Sequence, residues 1–196
     1  MPHFFAKFRQ VEEFWIRHDT RIYLSDFTGT PVEGTCVGAI IGKNPGSATA
    51  KFAGWGELQL AGDKLLPNVR NILLKAYDRA GKTPPANAYF QVLNLFYICS
   101  KNLPAATAIL RNQKNIFLDP VEQQSFNLLW IAWGGKSAIL DPLKKRFVED
   151  RPESKVFFYS PTATSTINRF PGDSELAKHP QGMPHAPVIG HLAARL

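Results

Sequence analysis

Apolar positions along the chain fall into two patterns. Four short runs are rich in β-branched and aromatic residues: TCVGAIIG (35–42), YFQVLNLF (89–96), LLWIAWG (128–134) and KVFFYS (155–160). They read as buried strands. Helical patterns stand between them. One runs through LLPNVRNILLKAYDRA, with Asp63 placed to cap it and Gly81 to end it. Pro104 opens a second over 104–111, and Lys136 to Val148 reads as a third with a basic outer face. A further helix is predicted over about residues 4–18, where Phe4, Phe5, Phe8, Val11, Phe14 and Trp15 recur at spacings of three and four. RIYLSDF (21–27) alternates and predicts an edge strand, followed by a turn from Gly29 to Gly34. Continuous apolar strands alternating with helices predict an α/β fold, a three-layer α/β/α sandwich around a central, mainly parallel sheet of four to five strands. Residues 1–196 are expected to form one domain, with 1–34 packed on the core as a helix and edge segment. In such a fold a site lies at the carboxyl ends of the strands.

The residues at those ends are chemically suggestive. The first run closes in Gly42-Lys43-Asn44-Pro45-Gly46-Ser47. This is a sharp turn with exposed backbone N–H groups and an amide at its lip, although Asn, Pro and Gly also make ordinary turns. The second run carries Asn94, a polar side chain in a buried strand that must find partners. Its amide offers both a donor and an acceptor, which suits the edge of a base as well as a neighbouring loop. The third run leads into Gly134-Gly135-Lys136-Ser137, where a glycine pair opening a helix leaves N–H groups for an anion. It lacks the spacing of a nucleotide P-loop. Near the C-terminus, KHPQGMPHAP (178–187) is a stiff loop holding His179 and His185.

Composition narrows the partners. The chain has 23 Lys+Arg against 16 Asp+Glu, a net charge of +7, which fits a polyanion. Cys36 and Cys99 sit in apolar runs, read as buried free thiols, and exclude a four-cysteine iron–sulfur cluster. Zinc is the alternative for the His179–His185 loop, but neither cysteine has a second ligand at zinc spacing and His3, His18 and His191 show no partner pattern, so neither metal nor cofactor is expected. No apolar run approaches the ~20 residues of a bilayer span. The N-terminus meets charge too early for a signal peptide, so a cytoplasmic protein without membrane contact is expected.

Taken in order, the four strand-end motifs resemble the uracil-DNA glycosylase superfamily. Gly42-Lys43-Asn44-Pro45-Gly46 is similar to the GxNPG motif of its mismatch-specific thymine/uracil branch. VLNLF matches the strand with the base-reading Asn, at Asn94. Residues 131–138 are similar to the LLWGxxA turn, and His179-Pro180-Gln181-Gly182-Met183 to the HPSPL loop. A bacterial family of uncharacterised small proteins with NPST, NLF, WG and GxPxHP motifs also resembles the chain. Through Gly182-Met183-Pro184-His185 it makes His185 the equivalent histidine instead of His179. Three features depart from the glycosylase pattern. The first motif lacks the water-activating aspartate, some 18 residues separate Ser160 from His179, and Gln181 replaces Ser.

The resemblance implies a monomeric DNA glycosylase that flips a damaged or modified pyrimidine into a pocket and hydrolyses its N-glycosidic bond. Asn44 would orient the water. His179 or His185 would donate to the base oxygen, and Asn94 would read the base. Phe52 or Trp55 would stack on the base, with Gly42 and Gly46 shaping the pocket. Met183 would fill the hole in the duplex. Backbone around Gly42–Ser47 and Gly134–Ser137 would hold phosphates, with Lys43, Lys136, Lys144, Lys145 and Arg146 as a basic rim. The excised base stays open, with a hypermodified cytosine of phage DNA, and hence defence, as the second substrate. A non-catalytic nucleic-acid module and a small-nucleoside N-glycosidase are the competing classes.

Overall fold

A computed structural model describes residues 3–25, 33–46, 53–60, 62–100, 102–113, 115–149 and 151–196. Among them the chain forms strands β1 (Phe4–Val11), β2 (Phe14–Tyr23), β3 (Cys36–Gly42) and β4 (Gly54–Glu57), then helix α1 (Leu65–Arg79) and β5 (Tyr89–Asn94). Helix α2 (Leu103–Asn112), β6 (Leu129–Ile131), α3 (Asp141–Val148), β7 (Val156–Ser160), β8 (Ser165–Ile167) and α4 (Ala186–Ala193) follow. All eight strands lie in one mixed sheet of order β4-β1-β2-β5-β3-β6-β7-β8. The expected sheet of four to five strands is thus too small. The four apolar runs form a parallel centre, β5-β3-β6-β7, and antiparallel strands extend it on both sides.

The largest correction is at the N-terminus, where the expected helix over 4–18 is a hairpin. Val11 pairs with Phe14 across Glu12-Glu13, and Glu12 adopts φ +52° to make the turn. The aromatic spacing fits a helix as well as two strands, and the turn carries neither Gly nor Asn to signal it. Nor are residues 21–23 at an edge, since β2 lies between β1 and β5.

Alternate side chains of the parallel strands enter two apolar clusters. Ile40, Phe90, Val92, Trp130 and Phe157 meet Val69, Ile72 and Leu73 of α1 and Val188 and Leu192 of α4. Ala39, Ile41, Leu93, Ile131 and Phe158 meet Ala106 and Leu110 of α2 and Phe147 of α3. Burying each such large side chain stabilises the fold by roughly 1.5–3 kcal/mol. The helix placement follows from chain direction. From β3 to β5 the chain moves one way along the sheet, and from β5 to β6 and β7 it moves the other way. Right-handed crossovers therefore put α1 on one face and α2 and α3 on the other. The crevice between β3 and β6, from which helices leave to opposite faces, is the place where ligands bind in such sheets.

Among the described residues no helix is long and apolar enough to cross a membrane. Cys36 and Cys99 are free, half-buried thiols.

Acid should destabilise the fold through His191. Its ring packs on Phe157 with centroids 4.4 Å apart, and its buried Nε2 has no hydrogen-bond partner among the described residues. Burial, and then Arg195, push its pKa down to about 4. The unfolded chain takes up this proton near pH 6.5, while the folded chain resists until about 4. Stability is complete above pH 6.5 and is lost as pH falls towards 4. In denaturant titrations, His191→Leu should gain ~2 kcal/mol relative to wild type on going from pH 7 to pH 4. Parallel pH dependences of the two proteins would refute this assignment.

Candidate active site at the carboxyl ends of the parallel strands

Four of the residues singled out from sequence converge beyond β3 and β5. Gly42 and Asn94 are register partners at the ends of the two strands, and Lys43 and Asn44 follow directly. A Cβ on Gly42 would stand 3.1 Å from Asn94 Oδ1, so the absent side chain leaves room for the amide. Asn94 is 1% exposed, and its Nδ2 has no hydrogen-bond partner among the described residues. A buried donor left unmade costs ~1–3 kcal/mol. Asn44 donates from Nδ2 to the Ser100 carbonyl at 3.1 Å, which fixes the amide and leaves Oδ1 as an acceptor.

Lys43 spans the crevice to the end of β6. A Cβ on Gly134 would lie 2.6 Å from Lys43 Cε, and Gly134 has φ +85°, so the backbone favours glycine there and any side chain would displace the Lys43 terminus. The Gly134 N–H donates to the Ala177 carbonyl at 2.9 Å, and the Lys178 N–H donates to the Tyr159 carbonyl at 3.0 Å. These bonds tie the segment before His179 to the ends of β6 and β7.

The two histidines divide their roles here. His179 Nδ1 accepts from the Gln181 N–H at 3.3 Å, so the neutral ring carries its proton on Nε2. Burial, then Lys43 and Lys178, lower its pKa against the pull of Asp63, which keeps the ring neutral at pH 7. His185, at the start of α4, has Nε2 3.2 Å from the Pro180 carbonyl. A carbonyl can only accept, so His185 donates and braces the loop behind His179.

A buried network holds Asn94 by its backbone. The Tyr97 hydroxyl accepts from the Asn94 N–H at 3.5 Å and donates to Glu122 Oε1 at 2.6 Å. Glu122 Oε2 accepts from Arg146 Nε at 2.7 Å, and Arg146 Nη2 donates to the Asn94 and Leu95 carbonyls. Burial, and then Glu122, push the Tyr97 hydroxyl well above its usual pKa, so it stays a donor. Arg146 is therefore part of the support beneath Asn94, not of a basic rim.

Other expectations fail on geometry. Trp55 lies on β4 opposite Lys7, under the Lys7 and Arg21 cations, and packs near Cys36 and Tyr89 at the amino ends of β3 and β5. Asn94 is five residues further along β5, ~16 Å away at the rise of a strand, so Trp55 cannot stack on a base held there. The Gly134–Ser137 turn has two of its four amides already engaged within the protein. Gly134 N–H is bonded to Ala177, and Ser137 N–H donates to both oxygens of the Asp141 carboxylate at 3.1 Å. Lys144 is tied to Asp141 and to the Gly135 carbonyl. Lys136 and Lys145 are exposed beside a cleft of about 550 Å³ that Trp133 and Phe170 also line. Met183 is buried in the cluster with α1 and α4 and projects no wedge. Phe52 and Ser47 lie outside the described residues.

Two groups near this site were not read from sequence as functional. Asp63 caps α1 through Oδ1, which accepts from Leu65 N–H at 2.8 Å, while Oδ2 lies 3.8 Å from where a Cβ of Gly46 would stand. Only the capping role is legible in the sequence, because the approach to Gly46 is tertiary. Arg17 is 1% exposed in β2, within electrostatic range of Asp63 and Cys99. Among the described residues, no group of three or more His, Cys, Asp or Glu could hold a metal ion.

Comparisons with family models, with curated proteins and with solved structures find no match to this chain.

Proposed function

We propose that the protein is a monofunctional DNA glycosylase. On this reading it takes a damaged or modified pyrimidine out of the stack, hydrolyses its N-glycosidic bond and leaves an abasic site. The observation that carries the reading is Asn94: a buried amide donor without a partner among the described residues, at the end of β5 beside the β3 terminus from which Lys43 reaches across to β6. A base carbonyl would satisfy it. The neutral His179 Nε2–H would donate to the base oxygen as negative charge develops there in the transition state. Asn44 Oδ1 would orient the attacking water. Lys43 would meet the flanking phosphate, and the net charge of +7 supports a polyanionic partner. The parallel strands with these motifs at their carboxyl ends support the glycosylase-like reading of the fold. The enzyme works as a cytoplasmic monomer on its own side chains, without metal or cofactor. A hypermodified cytosine of phage DNA is the second substrate to test.

Release of free base decides the matter. Duplexes with uracil or a thymine mismatch, and phage genomes with modified cytosines, are incubated with the protein and free bases are quantified. At least one should yield base and an intact abasic strand that breaks only on alkali. Borohydride should trap no adduct. Asn44→Ala should slow release at least ~100-fold with DNA affinity within about threefold, because the amide acts on water and not on phosphate. An adduct that disappears in Lys43→Ala would replace water attack by a lysine nucleophile. No release from any DNA, with binding retained, would make the protein a non-catalytic module. Release from free nucleosides alone would make it a small-molecule N-glycosidase.

A further inference from the structure

Hydrolysis by this site needs a proton acceptor, and the residues assigned so far provide none. Asn44 is an amide, which orients water but does not take its proton. His179 has Nδ1 engaged by the Gln181 N–H and a proton on Nε2, so it is a donor. Lys43 is a cation. Nearby carboxylates are committed: Glu122 has both oxygens on Tyr97 and Arg146, and Asp141 has both on the Ser137 N–H.

Asp63 differs from these. Its Oδ1 is held by the first amides of α1, at 2.8 Å from Leu65 N and 3.5 Å from Leu66 N. Its Oδ2 carries no hydrogen bond among the described residues and is turned towards Gly46, two residues beyond Asn44. Gly46 has φ +72°, and a Cβ there would stand in ordinary contact with Oδ2, so the carboxylate oxygen lies directly against this turn. Asp63 is half-buried, so water reaches it, and it lies within electrostatic range of His179.

Resting on the glycosylase reading, we propose that Asp63 is the general base, taking the proton of the water that Asn44 orients. The water oxygen bonds to the anomeric carbon of the deoxyribose. The N-glycosidic bond breaks, and its electron pair leaves with the base. One water proton passes to Asp63 Oδ2, and the departing base anion is stabilised by His179 and Asn94 until solvent protonates it. The products are the free base and an abasic sugar, with no oxidant or co-reactant. The carboxylate that the first motif lacks is thereby supplied by the residue that opens the following helix.

The test separates chemistry from capping. Asparagine and serine cap a helix as well as aspartate does, so Asp63→Asn and Asp63→Ser should melt with the wild type. Single-turnover release from whichever DNA the wild type processes should fall ~10²–10³-fold in both, the range of general-base catalysis. Affinity for the same DNA carrying a non-hydrolysable 2′-fluoro nucleotide at the target should stay within about threefold. A rate loss below tenfold in both variants overturns the assignment of Asp63 and leaves the glycosylase reading intact. Parallel loss of rate and affinity also overturns it, because a base acts only in the transition state. A wild type that releases no base from any DNA overturns the glycosylase reading, and the assignment with it.

Discussion

Glu122→Ala should cost the fold about 3–5 kcal/mol, the largest single loss expected outside the apolar clusters. Glu122 is 9% exposed and sits at the centre of a charged network. Its side chain takes the Tyr97 hydroxyl on one oxygen and the Arg146 guanidinium on the other. Truncation leaves a guanidinium with four-fifths of its side chain covered and no anion to face, and a phenol with no acceptor. The uncompensated charge sets the magnitude, since the intact pair itself contributes little net stability. Glu122→Gln keeps an acceptor for Tyr97 and loses the charge, so it should fall between wild type and alanine. Chemical denaturation at pH 7 measures both. A loss below 1 kcal/mol for alanine would show that water enters the network and that the ion pair is not isolated. Asn94 depends on the same groups through its N–H and carbonyl. Glu122→Gln should therefore also lower base release in protein that is still fully folded.

The four parallel strands were legible because each is buried on both faces and reads as a continuous apolar run. Tertiary partners decided the rest. Phe4, Phe5, Phe8, Phe14 and Trp15 satisfy helical and strand periods alike, and only pairing with β4 and β5 selects the hairpin. The Gly-Gly turn after β6 reads in sequence as open to an anion. The chain engages two of that turn's four amides itself, with its own Asp141, four residues after Ser137, and with the Ala177 carbonyl. Trp55 followed the first motif in sequence, yet its strand pairs with β1 and carries it to the far end of the sheet. The sequence shows Asp63 in its local role, the helix cap, which the structure keeps. Its second oxygen acquires meaning only when the Gly46 turn is folded against it. Local patterns thus located the ends of the strands, but not which of the groups gathered there remain free of other partners.

Asn94→Ala should separate stability from function with opposite signs. In a structural asparagine both amide atoms are bonded, and truncation strands a partner. Here Nδ2 has no partner among the described residues, and Oδ1 faces the space beside Gly42. Removing an unsatisfied buried donor returns part of the ~1–3 kcal/mol it costs, and this offsets the small cavity left by alanine. Stability should therefore change by less than ~1 kcal/mol. Base release should fall ~10²–10³-fold, the loss typical of one donor to a developing oxyanion. Discrimination between bases should also narrow, because a site that hydrogen-bonds its substrate rejects analogues that leave its groups unpaired. Asn94→Asp sharpens the test. It keeps size and shape but places an acceptor, and at neutral pH a negative charge, where the departing base becomes anionic. It should be slower than alanine despite better packing. Should Asn94→Ala instead unfold the protein while Asn94→Asp retains wild-type turnover, the amide is a strand-end brace and the base must be read elsewhere. The order wild type, alanine, aspartate in rate, with near-equal melting for wild type and alanine, requires a donor held ready for a ligand.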